Sequence, residues 1–189
     1  MGTERSTAER LPEEGSTAER LPAAPAVDRL EEYDRSEIFG DAVDPFGVDA
    51  SGLVWLPKEH HFGIRAAGRL LAHAGLLVLP LSVGGSRFDV VGLGGVAVAP
   101  DRRGRGLAAR VVAGALDHAR TLGPEFALLF CRPDVSGLYA RLGWSVVDGA
   151  VEVEQPDGPA TMPLRTMWYP LRRGSRWPEG PVRLHSRPM

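Results

Sequence analysis

The sequence predicts an α/β domain of the α+β kind: a mixed, mostly antiparallel sheet with helices on both faces. Three observations carry this. Residues 60–99 hold three apolar segments separated by glycine turns, the pattern of an antiparallel meander. At 100–106 the hydrophobic period switches from two toward four, so a strand hands over to a helix. After that helix the short run FALLFC at 126–131 is apolar throughout, as in a strand buried on both faces.

The elements follow in order. Residues 1–26 contain a tandem repeat, STAERLP at 6–12 and again at 16–22, with too few large apolar side chains to offset the entropy of ordering. They are expected to form a disordered extension ahead of a domain over 27–170. Residues 27–39 are expected to be helical, with Asp28 as cap and Leu30, Tyr33 and Glu37 near one face. Residues 41–58 read as a loop, with Pro45, Gly47, Gly52 and Pro57. This loop carries Asp41, Asp44, Asp49 and Trp55, which suit either a pocket for a cation or a solvated surface. Strands are expected at 62–66, 70–82 and 88–99, turning at Ala67-Gly68 and Gly84-Gly85 and stopped by Pro100.

Leu107, Val111, Ala115 and Ala119 recur every four residues, so a helix is expected over 106–122, ended by Gly123-Pro124. With the strands before and after it, this makes a parallel, right-handed unit. A short helix is expected from Pro133 to Leu142, capped by Asp134. A hairpin of 144–154 with 161–169 should follow around Pro156-Asp157-Gly158. Residues 171–189, rich in Pro, Gly and Arg, read as an irregular extension.

Composition narrows the function. The 189 residues carry a formal net charge of −2, so neither nucleic acid nor an anionic membrane is an expected partner. Of the 22 basic residues only Lys58 is lysine; the other 21 are arginine. The single cysteine, Cys131, allows no intramolecular disulfide, and the opening MGTERSTAER has no apolar signal core. The longest apolar run, 70–83, is too short to span a membrane and contains His73 and Pro80. A cytoplasmic protein is expected. No His, Cys and Asp spacing suggests a metal.

One segment carries chemistry. In PDRRGRGLAA, at 100–109, a strand ends and a helix begins. Gly104 and Gly106 let main-chain N–H groups approach a ligand, the first helical turn presents unpaired donors, and Arg102, Arg103 and Arg105 add charge. Together they suit a phosphate or pyrophosphate. The segment is neither a Walker A loop nor a dinucleotide-binding glycine motif, since it lacks the lysine of the one and the third glycine of the other.

Arg103-Gly104-Arg105-Gly106-Leu107-Ala108, after VAVAPD, resembles the pyrophosphate loop of the GNAT superfamily of N-acetyltransferases. About thirty residues on, Leu138-Tyr139-Ala140-Arg141-Leu142-Gly143-Trp144 resembles that family's second motif, Leu/Phe-Tyr-x-x-x-Gly-Phe/Trp. The resemblance covers roughly residues 60–170. It implies the GNAT fold, with two parallel strands that splay apart to admit acyl-CoA. It also implies that the amides of Arg103, Gly104, Arg105, Gly106, Leu107 and Ala108 hold the pyrophosphate. Val96, Ala97 and Val98 would pair with the pantetheine arm like an added strand. A bulge in that stretch would aim an N–H at the thioester carbonyl.

Tyr139 matches the family's general acid; its ring is also placed to pack between Val135 and Leu142. No carboxylate lies in 91–95, where many relatives keep a general base. Asp89, His60, His61, His73 and Glu152 are the candidates elsewhere, alongside a base acting through water or an amine that arrives already neutral. Cys131 reads either as an acyl-carrying nucleophile or, as most lone buried cysteines do, as packing.

The implied activity is transfer of an acetyl group from acetyl-CoA, as cosubstrate and without a metal, to a primary amine of a small molecule such as an antibiotic. The alternatives are a peptide or protein amine, or a non-catalytic acyl-CoA-binding module; a homodimer is left open. The GVAV strand, the Tyr-x-x-x-Gly-Trp motif and Arg176-Trp177-Pro178 are loosely similar to transferases of the aminoglycoside 2′-N-acetyltransferase type. The acidic loop at 41–49 would suit a polycation, whereas Arg172, Arg173, Arg176, Arg183 and Arg187 would not.

Overall fold

A computed structural model describes residues 25–42, 44 and 46–189. The repeat at 6–22 therefore lies outside the described residues.

The meander forms as expected. β2 (His60–Ala66), β3 (Arg69–Val83) and β4 (Ser86–Val98) pair antiparallel in sequence order. α2 (Leu107–Ala119) then crosses over, and β5 (Phe126–Cys131) returns parallel to β4. The expected helix over 106–122 is shorter at its end, because residues 120–122 leave it in turns bonded to Leu116, His118 and Ala119. α2 buries Leu107, Val111, Val112, Ala115, Leu116 and Ala119 against one face of the sheet. The short α1 (Ser36–Phe39) packs Ile38 with Leu70 and Ala97 in a separate cluster.

Four expectations are corrected. The helix expected over 27–39 is instead β1 (Asp28–Leu30), antiparallel to β2, followed by α1 alone. Its apolar residues find long-range partners that outweigh a weak helical period: Leu30 lies over Gly63, and Tyr33 stacks on His73 with ring centroids 3.4 Å apart. Asp28 pairs across to Gly63 and caps nothing.

The hairpin expected from 144–154 and 161–169 is two separate pairings. β6 (Ser145–Val146) pairs with β9 (Arg165–Pro170), while β7 (Val151–Val153) pairs with β8 (Ala160–Thr161) around the expected turn. Asp148-Gly149 breaks the first arm and Pro163 the second, since proline cannot donate to a ladder.

The C-terminal residues are not irregular. β10 (Val182–Leu184) lies between β3, to which it is antiparallel, and β7, to which it is parallel. Val182, Leu184 and Met189 are buried there with Leu81, Val83, Val151 and Val153. The short helix is also reduced: a 3-10 turn, Pro133–Val135, leads into α3 (Ser136–Arg141). Asp134 accepts from the Arg132 guanidinium at 3.1–3.2 Å rather than capping the helix.

Candidate functional site

β4 and β5 pair at only three positions, Val91 with Ala127, Gly92 with Leu128 and Leu93 with Leu129. Beyond them β4 runs on to Val98 and β5 to Cys131 without pairing, so the two parallel strands splay. β4 also carries a bulge at this point. The register with β3 passes from Gly75–Gly94 to His73–Ala97, so Gly95 and Val96 together face Ala74. Gly95 takes φ +60°, a backbone conformation that glycine adopts without a side-chain penalty. The His73 ring lies beneath the bulge, with Nδ1 2.8 Å from the Gly95 carbonyl oxygen.

The splay opens on a cavity of about 660 Å³. Val96, Ala97 and Val98 line it from β4; Phe130 and Cys131 line it from β5. Arg103 and Ala108 line it from the loop and the start of α2, and Phe39, Phe46, Trp55 and Leu164 give it apolar surface.

The loop before α2 is built on two left-handed glycines and a run of unpaired amides. Gly104 and Gly106 take φ +74° and +73°, and a Cβ built on either meets no atom within 4 Å. The Arg102 N–H donates to Ala99 and the Arg110 N–H to Gly106; between them no main-chain amide finds an acceptor among the described residues. These orphan donors sit at the positive end of the α2 dipole. Arg103 and Arg105 have no carboxylate partner among the described residues. Arg102 shares Asp101 with Arg69, whose two hydrogen bonds of 2.8 and 2.9 Å tie the loop to β3. The unpaired amides, the open space over both glycines and the splayed strand edge fit a pyrophosphate with an extended arm.

Of the site residues named from the sequence, Val96, Ala97, Val98, Arg103 and Ala108 line the cavity. Gly104, Arg105 and Gly106 lie in the loop just outside it, and the Leu107 side chain is in the core beneath α2. Tyr139 is buried one layer behind the wall formed by Cys131, Val135 and Leu138. Its ring packs edge-on to Trp144, in the same cluster as Val135 and Leu142. Burial, with a smaller contribution from Cys131, raises the phenol well above its ordinary value, so its proton is retained at neutral pH. Burial likewise pushes the Cys131 thiol up to about 11, which leaves little thiolate for nucleophilic attack.

None of the five candidate bases lines the cavity. Asp89 faces a different cleft at the far end of β4. Glu152 lies 4.0 Å from Arg183, and His60 3.2 Å from Arg29. His61 and His73 bond each other at 3.0 Å.

Besides Asp44, Asp49, Cys131 and the arginines, the cavity is lined by Lys58, which sequence reasoning missed. Burial alone draws its amine down to about 8. Its one signal in the sequence is that it is the only lysine among 22 basic residues. Among the described residues no group of three or more His, Cys, Asp or Glu is arranged to hold a metal ion. No helix there is long and apolar enough to cross a membrane.

Comparison with known proteins bears on the family and the fold. The family model described as an acetyltransferase (GNAT) domain matches residues 43–147. The fold is similar to that of a GNAT family N-acetyltransferase (YhbS) from Escherichia coli, solved in complex with CoA. That likeness has a TM-score of 0.55 at 18% identity and covers 87% of this chain and 93% of that one. A GNAT family acetyltransferase from Brucella melitensis, solved in complex with acetyl-CoA, is similar with a TM-score of 0.50 at 18% identity, covering 85% and 97%. At such identity the likeness concerns the fold. No curated protein sequence matches the chain.

Proposed function

The chain belongs to the GNAT family of acyl-CoA-dependent N-acetyltransferases, and from that premise we propose that it moves an acetyl group from acetyl-CoA directly to a primary amine of a small molecule. The observation that carries the choice of cosubstrate is the run of unpaired main-chain amides between Arg102 and Arg110, opening onto the gap between β4 and β5. In this reading the amides of Arg103 to Ala108 hold the pyrophosphate. The free edge of β4 at Val96–Val98 pairs with the pantetheine arm, and the bulge at Gly95 turns an amide toward the thioester carbonyl.

Tyr139 supplies a proton to the departing thiolate; its raised pKa suits a donor that must stay protonated until sulfur needs it. It would act after a small shift of the Cys131–Leu138 wall, or through one water. The aromatic lining from Phe46, Trp55 and Phe130 favours a compact acceptor with an apolar body over an extended peptide. A lone, buried, protonated Cys131 is in keeping with direct transfer and a reducing, cytoplasmic setting.

Calorimetric titration with acetyl-CoA, with ATP as control, tests the first part. Saturable binding of acetyl-CoA that is lost in Gly106→Val is expected; absence of binding overturns the reading. CoA release is then measured across polyamines, aminoglycosides, amino acids and peptides. Tight binding with no release from any of them would leave a non-catalytic acyl-CoA-binding module.

A further inference from the structure

The Lys58 side chain reaches the cavity along a trough that two glycines leave open. Gly75 on β3 and Gly94 on β4 are cross-strand partners. A Cβ on Gly75 would fall 2.5 Å from Lys58 Cγ; one on Gly94 would fall 2.6 Å from Cε and 3.2 Å from Nζ. Any larger residue at either position would push the stem aside. The chain is anchored on both sides of this lysine, since the Leu56 N–H donates to Pro188 at 2.6 Å and the Glu59 N–H to Leu76 at 2.9 Å. The trough therefore delivers Nζ to the wall formed by Gly94, Gly95 and Val96, at the point where the strands part.

The groups that face it do not neutralise it. His61 and His73 stand on the β2–β3 side, both held below the ordinary histidine range by burial. Across the cavity are Arg35, Arg103 and Arg132 and two carboxylates, Asp44 and Asp49. Asp44 spends its oxygens on the Val48 and Asp49 amides, each at 3.0 Å, and Arg132 pairs with Asp134. The main-chain oxygen of Met189 lies beside Gly94. No carboxylate among the described residues lies within ion-pairing distance of Nζ, and burial is the sole cause of its shift to about 8. Composition points the same way. Arginine cannot release its proton in a protein, whereas a buried lysine readily does. A chain that uses arginine at 21 of its 22 basic positions keeps its one lysine here.

We propose that Lys58 Nζ is the general base of the transfer reaction, resting on the transferase function above. The neutral acceptor amine attacks the thioester carbonyl carbon and the C–N bond forms. One proton on that nitrogen passes to the Nζ lone pair. The C–S bond breaks with its electron pair on sulfur, which takes a proton from the Tyr139 hydroxyl. The Lys58 ammonium then gives its proton to solvent and the Tyr139 oxygen regains one from solvent, leaving an amide and a free CoA thiol.

The test compares wild type with Lys58→Met, which keeps the stem, and Lys58→Arg, which keeps the charge but cannot take up a proton. Acetyl-CoA binding is measured by calorimetry, and CoA release with the fastest amine of the panel is followed from pH 6 to 10. Both variants should bind acetyl-CoA like wild type and lose roughly a hundred- to ten-thousandfold in kcat. The rise of rate with pH through about 8 should disappear with them. Because Lys58 is the only lysine, 13C-labelling of lysine gives one Cε resonance whose titration should centre near 8.

A midpoint near the ordinary ~10.4 overturns the proposal. So does wild-type kcat in Lys58→Arg, or a rise in the acceptor KM alone with the pH limb intact, which would make Lys58 a charge anchor for an anionic acceptor. Failure of the wild-type protein to bind acetyl-CoA would instead overturn the transferase reading itself.

Discussion

His73 is 1% exposed, and both of its ring nitrogens are committed. A carbonyl oxygen can only accept, so Nδ1–H donates to Gly95. Nε2 must then accept from Nδ1–H of His61, 3.0 Å away. Neither nitrogen is left to take a proton from a substrate, so His73 holds the bulge and is no base. Burial draws it down to about 4. The sign of the linkage follows. Unfolded histidine titrates near 6.5 and the folded one near 4, so His73 contributes stability that is present above pH 6.5 and lost as the pH falls toward 4. The amount is at most on the order of 3 kcal/mol. His73→Ala should cost about 2–4 kcal/mol at pH 7, through the void and the orphaned Gly95 carbonyl. Urea melts should show the gap to wild type narrowing at pH 4.5; a gap independent of pH would mean that the ring titrates alike in the folded and unfolded protein. A neighbouring change isolates the trough. Gly94→Ala crowds the flexible end of Lys58 and meets the Met189 main-chain oxygen at an ordinary 3.5 Å, so the fold should survive while Nζ moves. Its loss of activity should be full in the wild-type background and absent in Lys58→Met.

At the scale of elements, what the sequence shows and what it hides divide by range. β2 to β5 and α2 are long or strongly periodic, and their boundaries carry glycine or proline, so local rules suffice for them. The geometry of the loop at 103–108 was legible for the same reason: its two left-handed glycines and unpaired amides belong to its own backbone. β1 and β10 have three residues each, too few for a period, and exist only because β2, β3 and β7 offer them edges. Lys58 was hidden because its place in the cavity depends on Gly75 and Gly94, brought together by the β3–β4 ladder and silent in a linear reading. β10 gives a direct check. Leu184 is fully buried between β3 and β7, so Leu184→Ala should lower stability by about 2–4 kcal/mol, while a change at Arg187 on the same tail should cost little. Equal melting temperatures for wild type and Leu184→Ala would mean that the C-terminal strand is not docked in solution.

At the scale of the molecule, the sheet separates two large cores. One lies beneath α2, and the other, on the opposite face, is closed by β7, β10 and Met189. The gap between β4 and β5 lies where both cores meet, so a ligand seated there contacts strands that each core holds in place. A ligand of the native state alone stabilises it by mass action, about 2.7 kcal/mol at a hundred times its Kd. For a chain of this size that corresponds to a rise in Tm of roughly 5–10 °C. Acetyl-CoA should produce this shift and ATP at the same concentration should not, because ATP lacks the pantetheine arm that would pair with the free edge of β4. Gly106→Val puts a β-branched residue at φ +73°, so its own Tm should fall, by strain of about 1–2 kcal/mol. The informative quantity is its shift with acetyl-CoA, which should vanish because the side chain fills the space over the amides. If ATP gave an equal shift, or if the shift persisted in Gly106→Val, the arginines of the loop rather than its backbone would be binding the phosphates, and the site would be a basic patch instead of an acyl-CoA cleft.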